Sequence, residues 1–315
     1  MRAVDLLVIG DCNPDLILVG CDEPPAFGQA EQLVGDAVLT IGGSASIVAC
    51  GAARLGLGTA IAGSVGDDVF GRFMMSELRE RGIDVSPCLV RAGRRTGVTV
   101  VLDRGDDRAQ LTAPGAIHDL RADEVDPGAL RVARHVHVSS YFLQPSLQPG
   151  LPRLLETARA AGATTSLDTN WDPAEGWSAG LREALRHVDV FLPNREEATH
   201  VSGEPDSIAA ARAIAAEGPA TVVVKLASEG AIAVHGDQVV RSPSLEVEAV
   251  DGTGAGDSFA AGFVAGMLAG RPLEETLALA CACGALSTRG VGGTTTQPDL
   301  DEALRAAAVL LPERA

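Results

Sequence analysis

Aromatic side chains are scarce in this sequence: Phe, Trp and Tyr together make up 3% of it. A core built without them must come from Ala, Val, Leu and Gly, a composition that suits parallel strands beneath alanine-rich helices. Positive charge is short as well, with 25 Lys plus Arg against 42 Asp plus Glu and a formal net charge of −17. A nucleic-acid binder draws its affinity largely from neutralising phosphates, so this balance excludes that class. An anionic small molecule would need a locally built pocket. No CxxC pair occurs among Cys12, Cys21, Cys50, Cys88, Cys281 and Cys283. A chain of 315 residues buries a sufficient core without disulfides, so reduced thiols are expected. Long apolar runs are missing too. The opening MRAVDLLVIGD is too short for a membrane span or a leader and reads as a first buried strand. A cytoplasmic protein with no membrane partner is the expectation. There is no GxxxxGK[ST], which excludes a P-loop enzyme, and no GxGxxG after the first apolar run, which argues against a dinucleotide oxidoreductase.

What is present is a regular alternation. VDLLVIG (4–10) is a continuous apolar run ending in Gly, as a central parallel strand would be. Residues 31–40 alternate before Gly42-Gly43, 44–55 form a helix closed by Gly56, 59–66 a strand, and 68–81 a helix closed by Gly82. The stretch 96–112, with RGDD at its turn, reads as an antiparallel hairpin. From HVHVSS onward, strands alternate with helices at 151–161, 180–187, 195–201 and 206–217, and 256–288 forms two alanine-rich helices. The pattern predicts an α/β fold: a doubly wound, mostly parallel sheet flanked by helices. One domain over 1–315 is expected, with a small β lid from about 12–41 and 92–117.

The chemistry concentrates in AVDGTGAGDSFAAGF (249–263). Gly252, Gly254 and Gly256 end a β-like stretch and open a helix, so several backbone N–H groups can point at one spot near the positive end of the helix dipole. Such a turn is an anion hole. Asp257 stands at its mouth, where a carboxylate is unfavourable beside a phosphate unless it has work there, such as accepting a hydroxyl proton.

DGTGAGDSF resembles the carboxy-terminal signature of the ribokinase-like, or PfkB, carbohydrate kinases. IGGSASIVACGAARLG (41–56) is similar to that family's amino-terminal signature, FLPNREEA (191–198) to its Asn-x-x-Glu element, and VVVKLASEGA (222–231) to its nucleotide-binding turn. These elements stand in the family's order and span nearly the whole chain. The resemblance implies a ribokinase-like sugar kinase that uses ATP and Mg2+. Asp257 would be the base, and the amides of Gly254, Ala255 and Gly256 would hold the transferring phosphoryl group. Asn194 and Glu197 would organise Mg2+ through water. Asn194, Lys225, Ala227, Ser228 and Gly230 would bind ATP. Asp15 would accept hydrogen bonds from the sugar, with Gly42 and Gly43 letting it approach the backbone. Asp251 and the carbonyl of Thr253 match a loop that binds a monovalent cation such as K+ in some members.

The sequence departs from the pattern in places. Ile47 stands where the family often has an Asn that contacts the sugar, which should alter specificity. In SLDTNWDP (166–173) Asp172 takes the place of an Arg found in acid-sugar kinases, so a carboxylate-bearing sugar is less supported than a ribose- or fructose-type one. Thr99 and Gln144 are candidate sugar contacts. Two rival readings are a nucleoside kinase of the same fold and an inactive sugar- or nucleotide-binding regulator. His135 and His137 lack a third ligand and read as packed or solvated rather than metal-binding. Cys281 and Cys283 read as small core residues. The resemblance also implies a homodimer through the lid, whose exposed edges need covering.

Overall fold

The computed structural model describes residues 4–312 apart from 22, 30, 105–107 and 179. In chain order its strands are β1 (Val4–Ile9), β2 (Asn13–Val19), β3 (Asp36–Gly42), β4 (Thr59–Ala62), β5 (Ser64–Gly66), β6 (Leu89–Arg91) and β7 (Val98–Asp103). They continue with β8 (Arg108–Ala113), β9 (Ala133–Val138), β10 (Thr164–Leu167), β11 (Val190–Phe191), β12 (Thr221–Lys225), β13 (Ala231–His235) and β14 (Gln238–Ser242). The main sheet is eight-stranded, in the order β14-β13-β12-β11-β10-β9-β1-β4. From β12 through β4 every pairing is parallel, and only β13 and β14 run antiparallel at one edge.

Helices cover both faces of the sheet because its central strands are buried on both sides. In β1, Leu7 and Ile9 enter one apolar layer while Leu6 and Val8 enter the other, the period of two that a strand imposes. The Leu7 layer takes α3 (Pro127–Val132), α4 (Leu151–Ala160), α5 (Leu181–Leu185), α6 (Arg195–Ser202) and α7 (Ser207–Ala215). Opposite lie α1 (Ser44–Arg54), α2 (Val69–Glu80), α8 (Ala255–Leu268), α9 (Leu273–Leu286) and α10 (Leu300–Leu310). A second, four-stranded sheet of order β3-β2-β7-β8 stands apart from the main one.

The expected strand 59–66 is interrupted. β4 joins the main sheet, whereas β5 pairs with β6 in a sheet of its own. A Cβ at Gly63 would lie 2.9 Å from that of Cys12 and 3.0 Å from the carbonyl of Gly10, so the chain bends at the one residue that allows this approach. The strand expected over 31–40 begins only at Asp36. Beyond the expected helices lies α10, which Asp299 caps by accepting from the Glu302 amide.

Candidate active site

The carboxyl ends of the parallel strands open into a cavity of about 1180 Å³, where ligands of open α/β sheets bind. Its wall includes Asp15, Gly43, Ile47, Thr99, Asn194, Glu197, Lys225, Ala227, Ser228, Thr253, Gly254, Ala255, Gly256 and Asp257. Gly42, Gln144, Gly230 and Asp251 are not among the lining residues.

At one end the small sheet contributes β2 and β7. A Cβ at Gly42 would fall 1.9 Å from Oδ1 of Asp15, so a glycine is needed for the carboxyl to lie over that backbone. Burial, then the nearby Asp11 and Asp251, push the Asp15 carboxyl up to about 7, against the pull of Arg108 and a hydrogen bond from Thr99. The Asn13 amide donates to Thr99 Oγ1 at 3.3 Å, and that hydroxyl meets the one of Thr112 at 3.1 Å.

At the other end, α8 begins at Gly254, whose φ of 71° is a left-handed conformation that glycine adopts readily. No side chain caps this end; the Ala255 amide donates to the Gly252 carbonyl at 3.3 Å, and the amides that follow it in the first turn of this 14-residue helix remain for an anion from the cavity. A Cβ at Gly254 would meet Ile47 Cγ2 at 2.9 Å and the Gly293 Cα at 2.8 Å. Asp257, in the first turn, is buried, and that burial, joined by the charges of Asp168 and Asp11 and opposed by Lys225 and a Ser44 hydrogen bond, lifts its carboxyl to about 7.

Lys225 is the sole lysine of the chain. Its Nζ lies 2.5 Å from Oδ2 of Asp168, in a pair with side-chain exposures of 13% and 1%. A Cβ at Gly256 would be 3.4 Å from that Nζ, so the ammonium borders the glycine turn. Burial works against the charge, but Asp168, Glu197 and Asp257 outweigh it and raise the Lys225 pKa. Across from it, Asn194 and Glu197 form a reciprocal capping box at the start of α6. Asn194 Oδ1 accepts from the Glu197 amide and Glu197 Oε2 from the Asn194 amide, both at 2.8 Å. Glu197 is nevertheless buried, and burial followed by the charge of Asp168 lifts it to about 7. A bridge between Asn194 and Lys225 ties the start of α6 to the end of β12.

The glycine turn, the uncapped helix end and the ammonium form a cradle that fits the phosphates of ATP. Asn194 and Glu197 are the residues beside it that could hold a cation.

Some candidates lie elsewhere. Gln144 is fully buried, and its Nε2 donates to the carbonyls of Ser139 and Ser140 at 2.6 and 3.3 Å, shaping the turn after β9. Gly230 (φ 90°) closes the β12–β13 turn, where a Cβ would fall 2.0 Å from the Ser242 carbonyl. His135 and His137 are buried in a chain of hydrogen bonds with Thr164 and Ser166, and burial pushes both down to about 3, so they are neutral core groups. Asp172 accepts from the amides of Ala174, Gly176 and Trp177 and so organises its own loop.

Four further residues belong to this region, two of them, Asp168 and Asn170, from the Asp-x-Asn stretch of SLDTNWDP. Asp11 accepts from the amides of Ser44 and Ala45, capping α1. Asn170 donates to the hydroxyls of Ser44 and Ser140. Asp168 holds Lys225, and Arg108 reaches from β8 to Asp251 and Thr253. For Asp168 a signal was at hand, an acid directly after the apolar end of a parallel strand.

The family described as pfkB family carbohydrate kinase matches residues 4–300. The chain is 34% identical over 313 residues to a fructokinase of Klebsiella pneumoniae, covering 95% of this chain and 97% of the other. It is also 34% identical over 319 residues to an ATP-dependent ribose-1-phosphate kinase of Halopiger xanaduensis, with 99% of each covered. Among solved structures, an Escherichia coli protein provisionally named ribokinase II, in complex with ATP and Mg2+, superposes with a TM-score of 0.86 at 24% identity. That match covers 97% of this chain and 99% of that one. Among the described residues, no helix is long and apolar enough to cross a membrane.

Proposed function

The chain belongs to the pfkB family of carbohydrate kinases, a phosphotransferase acting on a sugar hydroxyl, and we propose that its acceptor is a ribose- or fructose-type sugar and that Asp257 is its base. The observation that carries this reading is the buried Asp257 carboxyl, lifted to about 7, in the first turn of an uncapped helix and in one cavity with Asp15. A carboxyl with a pKa near the working pH is a competent general base.

In this reading Asp15 and Asn13 orient the sugar, and the small sheet acts as a lid that excludes water. Asp257 accepts the proton of the attacking hydroxyl. The amides of Gly254, Ala255 and Gly256 hold the charge that spreads over the phosphoryl oxygens, and Lys225 adds a compact positive charge beside them. ATP with Mg2+ supplies the transferable phosphoryl group, Asn194 and Glu197 steady the cation, and Ala227 and Ser228 lie along the nucleotide.

A homodimer through the lid belongs to the same proposal. β3 and β8 are the edges of the small sheet, and Leu39 and Leu111 stand exposed on them. The test is ATP consumption with Mg2+ across a panel of sugars and nucleosides. One sugar of the ribose or fructose type should turn over well above the rest. Preference for a nucleoside would replace the substrate assignment, and stabilisation by ligands without turnover would favour a binding protein.

A further inference from the structure

The positive charge at the outer side of the glycine turn comes from the chain itself. Arg108, the first residue of β8, donates from Nη1 to Thr253 Oγ1 at 2.9 Å and to Asp251 Oδ1 at 3.3 Å. The same Asp251 carboxylate accepts from the Thr253 amide through Oδ1 and from the Gly292 amide through Oδ2, both at 2.8 Å. Asp251 thus fastens the glycine turn to the 292 loop, and Arg108 neutralises it. Asp251 and Thr253 are the residues at which the sequence suggested a monovalent cation. They do not fit one, because a guanidinium already stands against that carboxylate.

We propose that Arg108 is a tethered cation that takes the place of a monovalent ion, so that docking of the small sheet completes the anion hole. A second strand of that sheet reaches the same place: a Cβ at Gly292 would lie 3.1 Å from Thr40 Cγ2 on β3. The small sheet therefore touches, from β3 and from β8, the two loops that Asp251 joins. Left unneutralised, Asp251 would oppose the build-up of negative charge on a phosphoryl group at the neighbouring amides. Arg108 is 38% exposed at its side chain, so the pair is partly screened and adds little to stability. Its effect is positional. Arg108 acts through Asp251 and Thr253 and is a positioning residue. The same guanidinium lowers the pKa of Asp15, so it stands within electrostatic reach of both ends of the reaction.

This inference rests on the kinase reading, and its test separates the two. The full chain is unfolded thermally in KCl and in tetramethylammonium chloride at equal ionic strength, without substrate. Wild type should unfold within about 1 °C in the two salts, whereas Arg108→Gln should unfold several degrees higher in KCl, because an ion that binds only the folded chain stabilises it. Turnover of the accepted sugar is then compared. Wild type should agree within about twofold between salts, and Arg108→Gln should lose about 10–100-fold in kcat without K+, the range typical of groups that orient a site. KCl or dilute guanidinium chloride should restore it, and Arg108→Lys should stay independent of K+. Wild type stimulated about fivefold or more by K+ would overturn the proposal, as would an Arg108→Gln variant as fast as wild type in tetramethylammonium chloride without K+. If Arg108→Gln does not fold, Arg108→Lys decides, since K+ dependence in that variant contradicts a tethered charge. A chain that phosphorylates nothing in either salt would fail the kinase reading, and the unfolding comparison would still judge the guanidinium.

Discussion

Substituting Lys225 examines how far the anion hole depends on one buried ion pair. Lys225→Met would leave Asp168, with 1% side-chain exposure, without its ammonium and close to Glu197 and Asp257. Removing one partner of a buried pair costs about 3–5 kcal/mol. At the low end of that range, about 3 kcal/mol is expected at pH 8. At roughly 2 °C per kcal/mol for a chain of this size, the unfolding midpoint should fall by about 6 °C. The double variant Lys225→Met/Asp168→Asn removes the stranded charge and should recover more than half of that loss. Calorimetry or urea unfolding of wild type, both single variants and the double gives the coupling energy. Turnover should not recover with stability: both variants lacking Lys225 should be slower by about 10²–10³-fold, the usual effect of removing one donor to a transition-state oxyanion. A Lys225→Met chain unfolding within about 1 °C of wild type would refute the reasoning, as would singles that add to the double within about 0.5 kcal/mol.

Further outcomes follow from the same geometry. Asp15, Glu197 and Asp257 are each lifted to about 7 from ordinary values of 3.8, 4.5 and 3.8. The folded chain therefore binds more protons than the unfolded one in that window. The stability these groups contribute is present below about pH 4 and is lost as pH rises through about 7, which unfolding midpoints measured from pH 5 to 8 should show. For the same reason kcat/KM should rise with pH on a limb near 7, and a limb below about 5 would contradict the raised Asp257. Ile47→Asn places a hydrogen-bonding group in the wall against Gly254 and should change the ratio of kcat/KM between two sugars by roughly tenfold or more, read by competition between them. Light scattering should give twice the monomer mass, and Leu111→Asp on the exposed face of β8 should return the chain to a monomer; a monomeric wild type removes the dimer.

The fold was legible where the pattern was local. VDLLVIG, HVHVSS and TVVVKL are apolar runs with helical stretches between them, and all three become parallel strands of the main sheet, β1 beside β9 and β12 three places further along. The glycine turn was legible because consecutive residues make it. What escaped depends on residues far apart in sequence. Asp168 and Lys225 are 57 residues apart and meet only because β10 and β12 flank the short β11. Arg108 and Asp251, 143 apart, meet only because the small sheet folds over the turn. Gln144 follows a strand end, and its Nε2 bonds to the carbonyls of Ser139 and Ser140 depend on a backbone turn that the sequence does not display. The Asn194–Glu197 pair could be read as a cap or as a cation site, and the capping box, with Glu197 buried, shows the cap.

The central claim is the role of Asp257, and Asp257→Asn tests it most directly. The substitution keeps the shape and removes the base, so steady-state turnover with Mg2+ and ATP should fall by about 10²–10⁴-fold. ATP binding should persist. The variant should unfold no earlier than wild type at pH 8, because it no longer carries a charge that burial disfavours. Turnover within about tenfold of wild type, in a folded variant that binds ATP, would contradict the assignment of Asp257 as the base.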